Sequence, residues 1–101
     1  MYKLVYSPEA LEDLIAIKHA IINLWDDDVA TETLKKLIMD IKGIAQFPFT
    51  GVNLGELIDV PTDYRYLVTS KNYVFYHVDK DVIKIVRVLN HRQDFMFHLF
   101  E

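Results

Sequence analysis

The sequence contains no cysteine, and only three glycines and three prolines occur among its 101 residues. Without cysteine the chain can form no disulfide, carry no thiol nucleophile and hold no cysteine-ligated zinc ion. Its longest apolar runs are far shorter than the roughly 20 residues that a helix needs to cross a bilayer. Positive charge is scarce as well, since eleven Lys and Arg are outnumbered by fifteen Asp and Glu, for a net charge of -4. Any contact with nucleic acid must therefore be local.

The residues that are present suit one compact domain. Hydrophobic residues make up 51% of the sequence, which suffices for a single core in a chain of this length. We therefore expect one domain over residues 1–101. The N-terminal residues lack the basic start, apolar stretch and cleavage site of a secretory signal, so we expect a cytoplasmic protein with no membrane partner.

The first half of the chain predicts one strand and two helices. Tyr2 to Tyr6 alternates in the manner of a short strand, and Ser7 with Pro8 suits the N-cap and first position of a helix. In this first helix the expected core stripe is Leu11, Leu14, Ile15, Lys18, Ile21, Ile22 and Trp25, with a second apolar flank at Ala10, Ile17, Ala20 and Leu24. The run Asp26–Asp28 separates it from a second helix that ends at Phe47-Pro48. So short a link predicts an antiparallel helix hairpin.

The second half predicts a loop and then three strands. The loop runs from about Pro48 to Asp63, and residues 94–100 can add one or two helical turns at the end. The strands are the aromatic and β-branched runs 64–68, 72–76 and 85–89. The order strand, helix, helix, strand, strand, strand predicts an α+β fold, with the helix hairpin packed on one face of a mainly antiparallel, twisted sheet.

Several polar residues of the strands have simple structural interpretations. Arg87 lies in mid-strand, and we expect it to form a structural clasp with Asp94. Tyr73 and Tyr76 should point to opposite faces of their strand. The histidines lack a second ligand at metal spacing, so we expect neither a metal nor a cofactor.

In its order of motifs the chain resembles the RelE/ParE toxin superfamily over its full length. The residues that carry the resemblance are the opening Tyr6-Ser7-Pro8-Glu9-Ala10-Leu11-Glu12-Asp13-Leu14, Phe47-Pro48 with Gly51 just beyond, Tyr64-Arg65, Asn72-Tyr73-Val74-Phe75-Tyr76, and Val86-Arg87-Val88-Leu89 followed by Arg92 and Asp94. The resemblance implies the toxin of a type II toxin-antitoxin system, a class linked to plasmid stabilisation and growth inhibition. It also implies a small cognate antitoxin that neutralises the toxin.

Two activities share this fold in the superfamily, so the site must discriminate between them. One branch cleaves messenger RNA on the ribosome, and for that branch the resemblance assigns Arg65, Arg92 and His98 as catalytic residues. The other branch inhibits DNA gyrase and is not enzymatic. This chain has Val74 and Leu67 where the nuclease branch carries basic residues. With its negative net charge, this predicts the gyrase-directed branch.

Two alternatives remain open at the level of sequence. One is the ribosome-dependent endoribonuclease, and the other is an inactive binding member that acts only with its antitoxin. In each case an acidic toxin would reach operator DNA only through the antitoxin. The apolar second flank of the first helix predicts the antitoxin-binding surface, namely Ile17, Ala20, Leu24 and Trp25.

Overall fold

The computed structural model describes residues 2–24, 27–58, 61–69, 71–91 and 93–100. Four helices and five strands occur within these ranges. In chain order they are β1 (Lys3–Tyr6), α1 (Pro8–Leu24), α2 (Asp27–Gln46), β2 (Val52–Asn53), α3 (Leu54–Ile58), β3 (Arg65–Val68), β4 (Asn72–Asp79), β5 (Val82–Asn90) and α4 (Phe95–Phe100).

The five strands form one sheet in the order β1-β5-β4-β3-β2. Strand β1 runs parallel to β5, and the other three pairs are antiparallel. The ladder between β4 and β5 has a register shift, because Phe75 faces Arg87 while the next residue, Tyr76, faces Ile85. The α+β fold with a mainly antiparallel sheet and a helix hairpin is therefore confirmed.

Ser7 starts α1 and also fastens it to the sheet. Its hydroxyl accepts a hydrogen bond from the Ala10 N–H at 3.0 Å, as an N-cap does, and donates to the Val86 carbonyl at 2.6 Å. The Ser7 N–H donates to the Ile85 carbonyl at 2.9 Å. The predicted N-cap is confirmed, and the same side chain ties the first helix to β5.

Side chains pack on both faces of the sheet. The helix-face core lies between the sheet and the hairpin, and its buried members are Ala10, Leu14, Leu37, Ile41, Ile44, Val74, Tyr76, Ile83, Ile85 and Val88. The second core is smaller and consists of buried Leu54, Phe75 and Leu89 with partly buried neighbours such as Tyr73, Phe95 and Leu99. Tyr73 and Tyr76 thus belong to different cores, as their alternation predicts.

The predicted core stripe of α1 is wrong in part. Ala10 and Leu14 are buried and Ile17 packs against them, whereas Leu11 and Ile15 are 48% and 58% exposed. Apolar residues cover so much of this helix that spacing alone cannot show which flank meets the sheet. Packing against the sheet determines which flank of α1 is buried.

The predicted loop from Pro48 to Asp63 is also wrong in part, because it contains β2 and α3. A two-residue strand is too short to show an alternation, and a five-residue helix too short to show a stripe. Leu54 at the start of α3 is buried in the second core. The predicted C-terminal helical turns are confirmed as α4.

Candidate functional site

One surface feature that is fixed by several hydrogen bonds is the segment Phe47–Gly51, here called the 47–51 loop. Tyr76 is fully buried beneath it, and its hydroxyl donates to the Pro48 carbonyl at 2.9 Å while accepting from the Gly51 N–H at 2.9 Å. The Thr50 N–H closes the turn on the Phe47 carbonyl at 3.1 Å. A tyrosine of a central strand therefore fixes the backbone of an outer loop.

Arg65 holds the same loop from β3. Its Nη1 donates to the Gly51 carbonyl at 2.8 Å, and its guanidinium carbon lies 4.9 Å from the centre of the Phe49 ring. Such a distance is that of a cation–π contact. Arg65 thus contributes one hydrogen bond and one ring contact to the loop.

Glycine at position 51 is required by space. A Cβ atom there would lie 2.8 Å from the Tyr66 carbonyl oxygen and would meet the Tyr76 hydroxyl. Both contacts are shorter than carbon and oxygen atoms tolerate, so any larger residue would push the loop away from the tyrosine that holds it.

Burial raises the pKa of Tyr76 above its ordinary value of 10.0, and this effect exceeds the opposing effects of the Gly51 hydrogen bond and the positive charge of Arg65. The hydroxyl therefore stays protonated at neutral pH. It can donate to the Pro48 carbonyl only in that form, so the fixed shape of the loop depends on a neutral tyrosine.

The loop displays two aromatic rings. Phe47 is 67% exposed and Phe49 is 61% exposed, while Pro48 between them is buried. Residues Gln46 to Thr50 line a shallow depression beside the rings. A rigid backbone thus presents apolar side chains to solvent.

The second arginine of the sheet is engaged elsewhere. Arg87 donates from Nε and from Nη2 to the two carboxylate oxygens of Asp13, both at 2.8 Å, and from Nη1 to the His98 carbonyl at 3.5 Å. The Val88 N–H also donates to Asp13, at 2.9 Å. The hydrogen bonds that Arg87 donates to Asp13 raise the pKa of Arg87, so the guanidinium stays charged.

The prediction that Arg87 pairs with Asp94 was wrong. The partner is Asp13 in α1, and Asp94 instead accepts from the Phe97 N–H at 3.3 Å at the start of α4. The sequence offers a local carboxylate seven residues away, whereas the true partner is brought in by the packing of α1 on β5. The carboxylate that sequence reasoning missed carried no local signal.

The sequence-predicted catalytic residues lie in separate elements. Arg65 is half-buried in β3, and His98 is half-buried in α4 with its ring 5.4 Å from that of Phe97. Among the described residues no hydrogen bond or ion pair joins Arg65 to His98. Arg92 lies outside the described residues.

The sequence-predicted antitoxin surface is only partly exposed. Ile17 is partly buried against the helix-face core, while Ala20 is exposed. The side chain of Leu24 and the whole of Trp25 lie outside the described part of the chain. Among the described side chains of α1, the exposed large apolar ones are instead Leu11 and Ile15, one helical turn apart.

The described part of the chain contains neither a metal-binding cluster nor a helix suited to a membrane. In the ranges that the structure describes, no group of three or more His, Asp or Glu residues is placed to hold a metal ion. None of the helices in those ranges combines the length and the apolar character needed to cross a membrane.

Comparison with solved structures identifies the fold. The chain is similar to a structure of a chromosomal ParDE toxin-antitoxin system from P. aeruginosa, with a TM-score of 0.75 and 22% identity over 89% of this chain and 96% of that one. Two Helicobacter pylori proteins also match: a conserved hypothetical protein (TM-score 0.45, 16% identity, 92% of this chain and 98% of that one) and a copper-bound mutant toxin (0.43, 17%, 99% and 100%). The likeness of these two is too low to support an argument.

Comparison with protein families identifies the relationship. No match is found among curated proteins. The model of the ParE toxin of the type II toxin-antitoxin system parDE matches residues 4–95, which span both helices of the hairpin, strands β2 to β5 and all of β1 except its first residue. The chain therefore belongs to the ParE toxin family, within the RelE/ParE superfamily, and is the toxin component of a type II toxin-antitoxin system with a cognate antitoxin as its partner.

Proposed function

We propose that this toxin acts by binding DNA gyrase and blocking it, without carrying out a reaction of its own. The observation that carries the proposal is that both sheet arginines with described side chains are committed to structural contacts. Arg87 is neutralised by Asp13, and Arg65 donates to the Gly51 carbonyl beneath the Phe49 ring.

Cleavage of RNA by the nuclease branch makes a different demand on the sheet. Its transition state gathers negative charge on a phosphorane, and free cationic side chains must stabilise that charge. The two positions at which the nuclease branch carries further cations are Val74 and Leu67 here. Val74 is buried in the helix-face core and Leu67 packs against it, so neither position faces a substrate. A binding mechanism needs none of these cations.

The test is a supercoiling assay with purified gyrase and relaxed plasmid. We expect the toxin to inhibit supercoiling, and an equimolar amount of its antitoxin to restore it. In parallel, a defined message is translated in a purified system and mapped by primer extension, where we expect no toxin-dependent cuts.

The opposite pair of results would contradict the proposal. Full supercoiling at a large molar excess of toxin, with ribosome-dependent cuts that Arg65→Ala removes, would identify the nuclease. Full supercoiling with intact message and no growth inhibition on expression would identify a binding member that acts only with its antitoxin.

The antitoxin is proposed to bind along α1. Sequence reasoning predicted contacts at Ile17, Ala20, Leu24 and Trp25, and these stay a prediction. Of the described side chains, Leu11 and Ile15 offer the larger exposed apolar area, and Glu9 and Glu12 lie exposed beside them. An amphipathic antitoxin helix with an apolar stripe and a basic edge would complement this flank.

Calorimetric titration of the antitoxin into toxin variants tests this surface. We expect Leu11→Glu with Ile15→Glu to weaken binding by about tenfold or more, because two anchors are replaced by charges. Ala20→Glu tests the flank predicted from the sequence. If Ala20→Glu alone weakens binding, the contact surface is the sequence-predicted flank instead.

A further inference from the structure

We propose that the 47–51 loop is the element with which the toxin engages its protein target, by inserting Phe47 and Phe49 into an apolar pocket whose rim carries carboxylates. The inference rests on the proposed function in one respect, since it takes the target to be gyrase. The argument comes from three properties of the loop: its fixed backbone, its exposed rings and the charge around it.

The loop is held more firmly than the connection of a helix to a short strand requires. Tyr76 accepts from one backbone group of the loop and donates to another, and Arg65 donates to a third. All of these contacts are to backbone, so they fix the shape of the loop whatever its side chains are. A surface that is already in its bound shape loses little conformational entropy on binding.

The side chains that this backbone presents are the kind that dominate protein interfaces. Phe47 is 67% exposed and Phe49 is 61% exposed, so neither ring contributes much to the stability of the toxin itself. Aromatic side chains are enriched at the energetic centres of interfaces, where they fill pockets of the partner. Burying these two rings in a partner would recover the hydrophobic free energy that they lose in the isolated toxin.

The charge around the loop indicates the chemistry of the partner. The whole chain carries a net charge of -4, yet runs 41–55 and 64–78 contain no Asp or Glu, and the nearest acidic residues along the chain are Asp40, Glu56, Asp63 and Asp79 at their borders. These two runs meet where β2 pairs with β3 and where Tyr76 holds the loop. The charged groups that they supply here are cations, with Lys42 exposed one helical turn before Gln46 and Arg65 beneath Phe49. Carboxylates at the rim of the partner's pocket would complement them.

The same composition favours a protein over a nucleic acid. Binding to a nucleic-acid backbone depends on several cations that neutralise phosphates, and exposed rings alone give only stacking. Here the two runs bring Lys42 and Arg65 to the loop, fewer cations than a phosphate-binding surface needs, and the molecule as a whole is acidic. An apolar pocket on a protein would accommodate the two rings and would not require a surplus of positive charge.

The experiment compares two variants of the full-length toxin. Phe47→Ser with Phe49→Ser removes both rings, and Met39→Ser serves as the matched control because Met39 is also 67% exposed and lies on the outer side of α2. In the supercoiling assay we expect the double variant to need about tenfold more protein for half inhibition, a typical loss for interface anchors, and the control to match the wild type. Antitoxin affinity of the double variant is expected to be unchanged, and its midpoint of thermal unfolding is expected to fall by at most a few degrees, because the contact between Arg65 and the Phe49 ring is lost.

A further variant distinguishes the contribution of the rings from that of the Tyr76 hydroxyl, which fixes the loop backbone. Tyr76→Phe keeps both rings and removes the hydroxyl that shapes the loop, so its inhibition is expected to fall between the wild type and the double variant. Inhibition by the double variant at wild-type concentration would overturn the inference. So would a loss of antitoxin affinity equal to the loss of inhibition. Binding of a single-stranded oligonucleotide by the wild type and not by the double variant would overturn it as well.

The role of the loop can be tested even if gyrase is not the target. A wild-type toxin that leaves supercoiling intact defeats the proposed function, and growth arrest after induction in cells then decides the role of the loop. Loss of growth arrest in the folded, antitoxin-binding double variant would support the inference for another protein target. Growth arrest equal to that of the wild type would reject it.

Discussion

At the scale of single residues, Asp13 links α1 to β5 through contacts that no local sequence pattern indicates. Its carboxylate accepts two hydrogen bonds from Arg87 and one from the Val88 N–H. The side chains of Arg87 and Asp13 are 18% and 12% exposed. The two partners are therefore unequal in their other bonds. Asp13 also accepts from the Val88 N–H at 2.9 Å, whereas Arg87 also donates to the His98 carbonyl at the longer distance of 3.5 Å.

This inequality predicts different costs of removal. Asp13→Ala leaves a poorly hydrated guanidinium and an unpaired N–H, and we expect a loss of about 3 kcal/mol in the free energy of unfolding. Arg87→Met leaves Asp13 with the Val88 N–H and restores apolar packing, so its loss should be smaller. Urea unfolding of both variants measures the difference. Equal losses would mean that the bond to Val88 contributes nothing.

Tyr76 predicts a dependence of stability on alkaline pH. Burial raises the pKa of Tyr76, and also that of Tyr6, above the ordinary value of 10.0. A raised folded-state pKa gives a stabilisation that is complete below the unfolded value and is lost as the pH rises through the folded value. We expect the free energy of unfolding to change little from about pH 8 to about pH 9 and to fall as the pH rises past about 10, and to fall less in Tyr76→Phe. An identical fall in both proteins would show that Tyr76 does not titrate differently in the two states.

At the scale of elements, the short helix α4 has one packed side and one open side. Phe95 packs against the second core with its ring 5.5 Å from that of Phe75, and Leu99 lies beside it. Phe97 on the same helix is 56% exposed. Six residues form too short a helix to be stable alone, so its packed residues hold it in place.

Substitutions within α4 test this division. We expect Phe95→Ala to lower the free energy of unfolding by about 2 kcal/mol, less than for a fully buried ring, and the matched Phe97→Ala to stay within about 0.5 kcal/mol of wild type. Thermal and urea unfolding measure both. A larger loss for Phe97→Ala would reverse the assignment of the two sides.

Element boundaries also show how far the sequence predicts this fold. Ser7-Pro8 marks the start of α1 correctly, and the alternating runs mark the last three strands, because caps and period-2 patterns act over a few residues. The buried flank of α1 and the small elements β2 and α3 could not be predicted, since tertiary contacts select them. The site divides in the same way. Arg65 could be singled out from the sequence, but its contacts with Gly51 and Phe49 depend on the packed loop.

At the scale of the whole molecule, the negative net charge of the toxin disfavours its binding to DNA. The net charge of -4 repels phosphates, and Arg65 and Arg87 of the described sheet are engaged in internal contacts. The toxin alone should therefore bind DNA poorly at physiological ionic strength.

A mobility-shift experiment with the operator region checks this expectation. We expect no shift with toxin alone at micromolar concentration and about 150 mM salt, and a salt-sensitive shift with the toxin-antitoxin complex. A shift by the toxin alone that persists as salt is raised would contradict the electrostatic argument.

The parallel pairing of β1 with β5 has a consequence for biosynthesis. Lys3 pairs with Val82 and Tyr6 with Ile85, and the Ser7 hydroxyl donates to the Val86 carbonyl 79 positions later, so β1 acquires its neighbours from residues that are synthesised much later than itself. Contacts so distant along the chain form slowly, and here they cannot form until residues 82–86 have emerged from the ribosome. The complete sheet therefore forms only after β5 has been synthesised, so before that point the antitoxin would meet a chain that lacks the β1–β5 pairing.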